Sequence, residues 1–472
     1  MAAPNVSSDE IRTWFSRAMS TMYRAEVPQY GALTELVAEV NAATLSAEAA
    51  LRAQFRQPGE LDRLGIERHG AIRLGTATEL FHIRRLFAVM GMHPVGYYDL
   101  SVAGVPVHAT AFRPVADAAL HANPFRIFTS LLRLELIEDP ALRHEASRIL
   151  TARRIFTPRV LELVSAFEAN GGLDAAGAEE FVREALETFR WHSDATVDLA
   201  TYRQLHAVHG LIADIVCFRG PHINHLTPRT LDIDAVQAAM SERGMAPKAV
   251  IEGPPRRRCP ILLRQTSFKA LEEKIRFQDG QDSATVGTHK ARFGEIEQRG
   301  VALTTKGRRL YDALLAAARD EVRVDALGAN AGDYDAALAA RFRAVPDDWA
   351  KLRAEGLAFF RYTATEAGIA AARLGGLPED VDALIACGFL RIDPIIYEDF
   401  LPISAAGIFQ SNLDTDGQRN VLANASRAQF EQRLGAAVLD ELDLYAQSQA
   451  VSMQEALAQL GVGQSFRLKR PA

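Results

Sequence analysis

Three stretches of the chain hold residue types that could bind a metal ion and a carboxylate. The first is Arg68-His69-Gly70-Ala71-Ile72-Arg73, inside a short run from Ile66 to Gly75 that reads as a strand. Alternate side chains of a strand share a face. His69, Ala71 and Arg73 therefore point one way, and Gly70, Ile72 and Leu74 the other. One face then offers an imidazole, a small spacer and a guanidinium: a metal ligand beside a carboxylate receptor. The plainer reading is a satisfied histidine and a solvated arginine. The second stretch is Pro221-His222-Ile223-Asn224-His225-Leu226, and the third is Phe293-Gly294-Glu295-Ile296-Glu297. His222 and His225 are three apart, so in a strand they face opposite sides and one of them at most joins a common site. Glu295 and Glu297 share a face, and spacing does not choose between them.

These stretches need elements to position them. Ser7 to Glu10 is a capping box ahead of a helix to about Ala25, and helical runs follow over 31–43 and 46–55. Thr76 to Glu79 is a second capping box, opening a helix that buries Leu80, Ile83, Leu86 and Phe87 and stops at Gly91. Strand-like runs then cover 94–100, 105–112 and 125–132. The order is strand, helix, strand, strand, strand. After a helical stretch over 138–191, a similar order returns: a strand-like run over 215–226, a helix over 232–243, strands at 249–251 and 261–268, a charged segment over 269–278, and a last strand over 291–300. The two copies repeat element order and not residues. From Thr304 onward the pattern is mostly helical, with helices expected over 363–374, 378–386 and 425–460. Residues 391–408 form an irregular apolar run expected to wall a pocket or pack a domain.

The fold class expected is α+β: two βαβββ modules forming a central curved sheet, with substantial helical additions. The divisions are an N-terminal helical segment (1–60), a first module (61–137), a helical insertion (138–210), a second module (211–300), and a mostly helical region (301–472) carrying the loop at 391–408.

Composition narrows the function classes. The chain has 472 residues, 48% hydrophobic and 24% charged, with a net charge of -6. No global basic field exists to hold nucleic acid or an anionic membrane. Cys217, Cys259 and Cys387 form no CxxC pair, which favours a reduced compartment. The N-terminus lacks a basic region followed by an apolar run, and no stretch is long and apolar enough to span a bilayer. The expected address is the cytoplasm. The sequence leaves the oligomeric state open. No cysteine sits in a nucleophile motif and no GxSxG elbow is present.

Two imidazoles and one carboxylate on one wall make the two-His, one-carboxylate set that leaves positions open on Fe(II) for substrate and oxygen. A chain with 12 histidines and 59 acidic residues offers such triples by chance, so the repeated element order is what raises this one above background. The same set would serve a lyase or isomerase using another metal, with a glutamate as base. A rival of another class rests on Leu303-Thr304-Thr305-Lys306-Gly307-Arg308, similar to a winged-helix start, and on the basic Arg256-Arg257-Arg258. It would be a ligand-sensing DNA-binding regulator, and the acidic balance of the chain opposes it.

The runs Arg68–Arg73, His222–Thr227, Phe293–Gly300 and Tyr397-Glu398-Asp399-Phe400-Leu401-Pro402-Ile403-Ser404 resemble the 2-oxoadipate dioxygenase/decarboxylase family, also called 2-hydroxyglutarate synthase. The resemblance covers nearly the whole chain. It implies a vicinal-oxygen-chelate-like core and an Fe(II) enzyme of lysine catabolism that converts 2-oxoadipate and O2 to D-2-hydroxyglutarate and CO2. It implies His69, His225 and Glu295 as metal ligands and catalytic residues, and Arg73 with Ile403 and Ser404 as the substrate contacts. The family pattern has Val at the position of Ile403, so pocket length there is open to change. His69 and Arg73 would lie roughly 13 Å apart at their Cα atoms, a spacing suited to a diacid. A monoacid substrate is expected to leave Arg73 unpaired.

Overall fold

The computed structural model describes residues 4–52, 60–268, 272–279, 283–290, 292–324, 329–401 and 419–462. Its centre is a five-stranded sheet in the order β2-β3-β4-β1-β5, built from β1 (Arg68–Leu74), β2 (His93–Asp99), β3 (Val107–Arg113), β4 (Arg126–Leu132) and β5 (Leu226–Pro228). β1 runs parallel to β4, and β5 pairs antiparallel to β1. The helix Ala77–Val89 links β1 to β2. Thr76 caps it by accepting from the Glu79 amide, while the Glu79 carboxylate accepts from the amides of Gly75 and Thr76. The strand-helix-three-strand order read over 61–137 is therefore present.

β3 and β4 are buried along their whole length because the sheet lies between two apolar layers. Alternation sends Ile127 and Leu131 into one layer with the N-terminal helices Ser8–Glu26 and Pro28–Ala47, and Phe128 and Leu132 into the other with the C-terminal region. A mixed α+β architecture with a central sheet and many helices results.

The second half departs from the expected pattern in several places, and the helical run expected over 425–460 is broken between Leu434 and Glu441, where Gly435 takes a positive φ. Residues 215–226 do not make one strand: Gly210–Val216 is a helix capped by His209, and only Leu226–Pro228 is a strand. The β-branched run suggests a strand, but Ile212, Ile215 and Val216 pack as a helix face into the C-terminal layer. Residues 249–251 form no named strand, only bridges on either side at Pro247–Phe268 and Glu252–Gln265. The charged segment over 269–278 overlaps β7 (Glu272–Asp279), antiparallel partner of β8 (Ser283–Lys290), while β6 (Leu263–Ser267) pairs with β9 (Glu295–Arg299). Its local signal is the alternation of buried Ile275 and Phe277 between charged residues. Finally, the helix expected over 363–374 begins only at Glu366. The residues before it form β10 (Phe360–Ala364), which pairs with β11 (Leu390–Pro394) at the start of the run read as irregular.

The β6–β9 ribbon joins the central sheet at its β5 edge, where the Thr230 amide donates to the Glu297 carbonyl at 2.7 Å. Cys217 and Cys259 are buried and Cys387 is exposed, and all three are free thiols. Among the described residues no helix is long and apolar enough to cross a membrane. The Arg256–Arg258 run is engaged within the fold: Arg256 with Asp232, Arg257 with the carbonyls of Phe342, Val345 and Pro346, Arg258 with Asp347 and Asp348.

One buried side chain gives a pH prediction. His108 on β3 is fully buried against Phe430, and its Nε2 has no hydrogen-bond partner among the described residues. Burial, with Arg133 and Arg433 nearby, pushes its pKa from 6.5 down to about 4. Between those values the unfolded chain binds the proton that the folded chain refuses, so folding stability falls as pH falls through that window. The slope from this one residue is at most about 1.4 kcal/mol per pH unit. Urea midpoints measured across the window are expected to vary less steeply in His108→Phe than in the wild type. An unchanged slope would contradict the assignment.

Candidate metal centre

β1 and β5 bring the first two candidate ligands together. His69 pairs with Thr227 and Gly70 with Leu226, and the Asn224 amide donates to the Ala71 carbonyl at 3.0 Å. This close approach needs glycine at position 70. A Cβ there would lie 2.5 Å from Ile223 Cδ1 and 3.1 Å from the His225 carbonyl oxygen. The N-terminal helix pins the arrangement: the Tyr23 hydroxyl is 2.9 Å from the Asn224 carbonyl and 2.8 Å from the Phe293 carbonyl, one residue before His225 and two before Glu295. The segment that reads as a helical preface thus holds the two stretches that lead into β5 and β9.

His69 Nε2 lies 3.0 Å from Glu295 Oε2, and His225 Nε2 lies 3.6 Å from the same oxygen. One ligand atom from each of these three residues falls within 4.8 Å of the others. Glu295 Oε2 also accepts from Thr227 Oγ1 at 3.1 Å and from Gln265 Nε2 at 3.0 Å. Glu297 takes the opposite side of the same ring, with its Oε2 2.9 Å from His69 Nδ1. The two glutamates share a face, as spacing requires, and the His69 imidazole separates their roles.

Burial alone would lower the His69 pKa, but Glu297 and Glu295 outweigh it and the imidazole is raised. Burial pushes His225 down to about 4, with His69, Arg73 and Lys248 adding to it against Glu295. Glu295 would be raised by burial, yet His225, His69 and Lys248 hold its carboxyl below the ordinary range. The two carboxylates therefore favour the protonated form of His69. A divalent cation suits the donor set. It would replace the proton on Nε2, with the Glu297 carboxylate 2.9 Å from Nδ1 on the other side of the ring.

His222 does not reach the cluster. Its Nε2 is 3.5 Å from Asp214 Oδ1, its ring packs on Trp191, and burial pushes its pKa down to about 3. Asp214 is the group that sequence reasoning missed. It is buried, accepts from Arg73 Nη1 at 2.6 Å, and lies 2.9 Å from His289 Nε2. The Asn224 amide, with its oxygen turned toward Arg73, accepts from Arg73 Nη1 at 3.1 Å and from His222 Nε2 at 3.0 Å. Arg73 lies on the His69 face of β1, as read, but it is already paired. The expectation that a monoacid substrate would leave it unpaired is corrected: Asp214 neutralises Arg73 in the absence of any ligand. No sequence signal marks Asp214, which comes from a short helix far along the chain.

Ile403 and Ser404 lie outside the described residues. The segment leading to them is described as far as Leu401, and it places Phe400 against His69, with ring centroids 5.0 Å apart. A large cavity of about 940 Å³ is lined by other residues, among them Arg63, Glu67, Arg299 and Glu398, and by none of His69, Arg73, His225 and Glu295.

Comparison with known proteins places the chain in a family. Residues 15–412 match the family described as 2-oxoadipate dioxygenase/decarboxylase. A Pseudomonas putida protein of that name is 59% identical over 97% of this chain and 98% of its own length. An Escherichia coli protein of the same name is 58% identical, covering 95% of this chain and 98% of its own. The crystal structure of hydroxyglutarate synthase from Pseudomonas putida in complex with 2-oxoadipate superposes with a TM-score of 0.91 at 57% identity, over 98% of this chain and 100% of that one. With matches spanning nearly the whole chain, the protein is an enzyme that belongs to the 2-oxoadipate dioxygenase/decarboxylase family.

Proposed function

We propose that the chain is an Fe(II)-dependent dioxygenase and decarboxylase that converts 2-oxoadipate and O2 to D-2-hydroxyglutarate and CO2, a step of lysine catabolism. The observation that carries the reading is the convergence of His69, His225 and Glu295 within 4.8 Å, on a chain that superposes on a relative holding 2-oxoadipate. In this reading those three residues hold the metal. The order of β1, helix, β2, β3 and β4 supports a vicinal-oxygen-chelate-like first module. Residues 211–300 supply His225 and Glu295 from the second.

When bound, Fe(II) would supply the redox chemistry that O2 requires. The chain's own residues do the positioning. Glu297 directs His69 so that Nε2 faces the site. Arg73 receives the distal carboxylate of the diacid. Its Nη1 is used by Asp214, while its Nε and Nη2 make no hydrogen bond among the described residues. A guanidinium held in place by a buried acid presents its remaining N–H groups with little further ordering cost. Ile403 and Ser404 are the further substrate contacts of this reading.

The test is oxygen uptake by metal-stripped protein reconstituted anaerobically with Fe(II), given 2-oxoadipate and then O2. The expected result is one O2 consumed per 2-hydroxyglutarate formed, with the D form found by chiral analysis. If 2-oxoadipate is consumed without O2, the site is that of a metal-dependent lyase or isomerase instead. If no 2-oxo acid drives uptake, the dioxygenase reading fails.

A further inference from the structure

Behind the candidate metal centre lies a buried ionic layer, of which the proposed function uses Glu297 alone. Arg126 sits on β4 directly beside His69 on β1, as its register partner. Its guanidinium is fully buried and reaches three carboxylates from three separate segments. Nη2 donates to Glu67 Oε1 at 2.7 Å, Nη1 to Glu297 Oε1 at 3.4 Å, and Nε to Glu398 Oε2 at 3.1 Å, with Nη2 also on Glu398. Arg299 repeats the pattern. It holds Glu297 through Nε at 2.9 Å and through Nη2 at 2.8 Å, and its Nη1 donates to the carbonyls of Tyr397 at 2.7 Å and Asp399 at 3.0 Å.

Arg126 thus reaches Glu297 Oε1, Arg299 spans both Glu297 oxygens, and Oε2 lies 2.9 Å from His69 Nδ1 as well. The same two arginines hold residues 397–399, and the next residue, Phe400, packs its ring against His69. The 397–400 segment therefore touches the His69 ring directly, and touches the acid behind that ring through Arg126 and Arg299.

Buried ion networks of this kind seldom add stability over a well-packed apolar core, because every charge in them must be desolvated. In some proteins such networks instead fix the relative placement of the segments they join. We infer that Arg126 is a positioning residue that sets the orientation of His69 and the seating of the 397–400 segment together, so that disturbing either contact is felt at the metal centre. The inference rests on the proposed metal site.

The experiment uses the full-length protein and Co(II), whose visible absorption reports ligand geometry. Glu398→Gln cuts the segment side of the layer and Glu297→Gln the His69 side, and Arg126→Lys keeps the charge but loses the fork. Neither Glu398 nor Arg126 is a proposed ligand. The expected result is that Glu398→Gln weakens Co(II) binding about 10-fold and alters the spectrum, within the range known for groups that orient metal ligands. Arg126→Lys is expected to restore less than half of the binding that Arg126→Met loses. Glu297→Gln and the double variant with Glu398→Gln are expected to bind Co(II) equally weakly, since both changes act through one path. Co(II) affinity and spectrum unchanged in Glu398→Gln would overturn the inference. So would a double variant whose losses simply multiply. A wild type that binds no Co(II) would overturn the metal-centre reading as well. If Arg126→Met does not fold, the two glutamate variants and their combination decide the matter alone.

Discussion

Replacing Glu295 with alanine is expected to give a folded protein that has lost its metal and its turnover. Glu295 is the only carboxylate in the proposed ligand set, and two imidazoles alone make a poor site for a hard divalent ion. Groups that merely orient a ligand cost about 10- to 100-fold in affinity when removed, so loss of the ligand itself is expected to exceed about 100-fold. His225→Ala is expected to behave alike. The side chains of His225 and Glu295 keep 13% and 16% of their surface exposed, so water can replace either and the fold should survive. The loss should appear first in Fe(II) or Co(II) titration and in parallel in oxygen uptake. In the wild type, metal must displace the proton from His69, whose pKa is raised above 6.5, so metal affinity is expected to climb as pH rises through that raised value. Retention of wild-type metal affinity in both variants would remove the ligand assignment.

Arg73→Met is the second large effect expected, and it should fall on substrate recognition rather than on the metal. Removing one partner of a buried, hydrogen-bonded charge pair costs about 2–5 kcal/mol. That corresponds to a loss of at least about 30-fold in kcat/KM for 2-oxoadipate. Co(II) affinity should stay near the wild-type value. Some of the effect will reach stability, because Asp214 loses its arginine. It keeps His289 at 2.9 Å, so a folded variant is expected. Asp214→Asn separates the two contributions: it leaves Arg73 in place but frees it, and KM should rise with little change in kcat. Equal kcat/KM in wild type and Arg73→Met would mean that the distal carboxylate is received elsewhere.

Local sequence made the first half of the molecule legible and left much of the second half unread, for identifiable reasons. The capping boxes at Ser7 and Thr76 satisfy their own helix amides, and β4 carries apolar residues in Ile127-Phe128 and Leu131-Leu132. Each of these signals is complete within about ten residues. β5 is three residues long, too short for any period, and exists because it pairs with β1. The helix at Gly210–Val216 overrides a β-branched run through tertiary packing. The β7–β8 hairpin was hidden by its charges, although Ile275 and Phe277 alternate as a strand should.

The site divides along the same line. Residue types and strand phase established, from the chain alone, a histidine and an arginine on one face of β1 and two glutamates on one face of β9, because a strand's period depends on nothing beyond its own backbone. Choosing between neighbours depended on what faces them. Residues 221–225 are not a strand, so their spacing carries no face, and it is the pairing beside Gly70 that sends His225 to the cluster while His222 turns to Asp214. Glu295 and Glu297 are equivalent by period and are told apart by their partners: Glu295 meets His69 Nε2 and His225, while Glu297 lies at His69 Nδ1 and is held by Arg126 and Arg299. The pairing of Arg73 with Asp214, and of Arg126 with three distant acids, lies wholly in the tertiary structure, since a guanidinium finds its partners through space and their separation along the chain leaves no pattern to read.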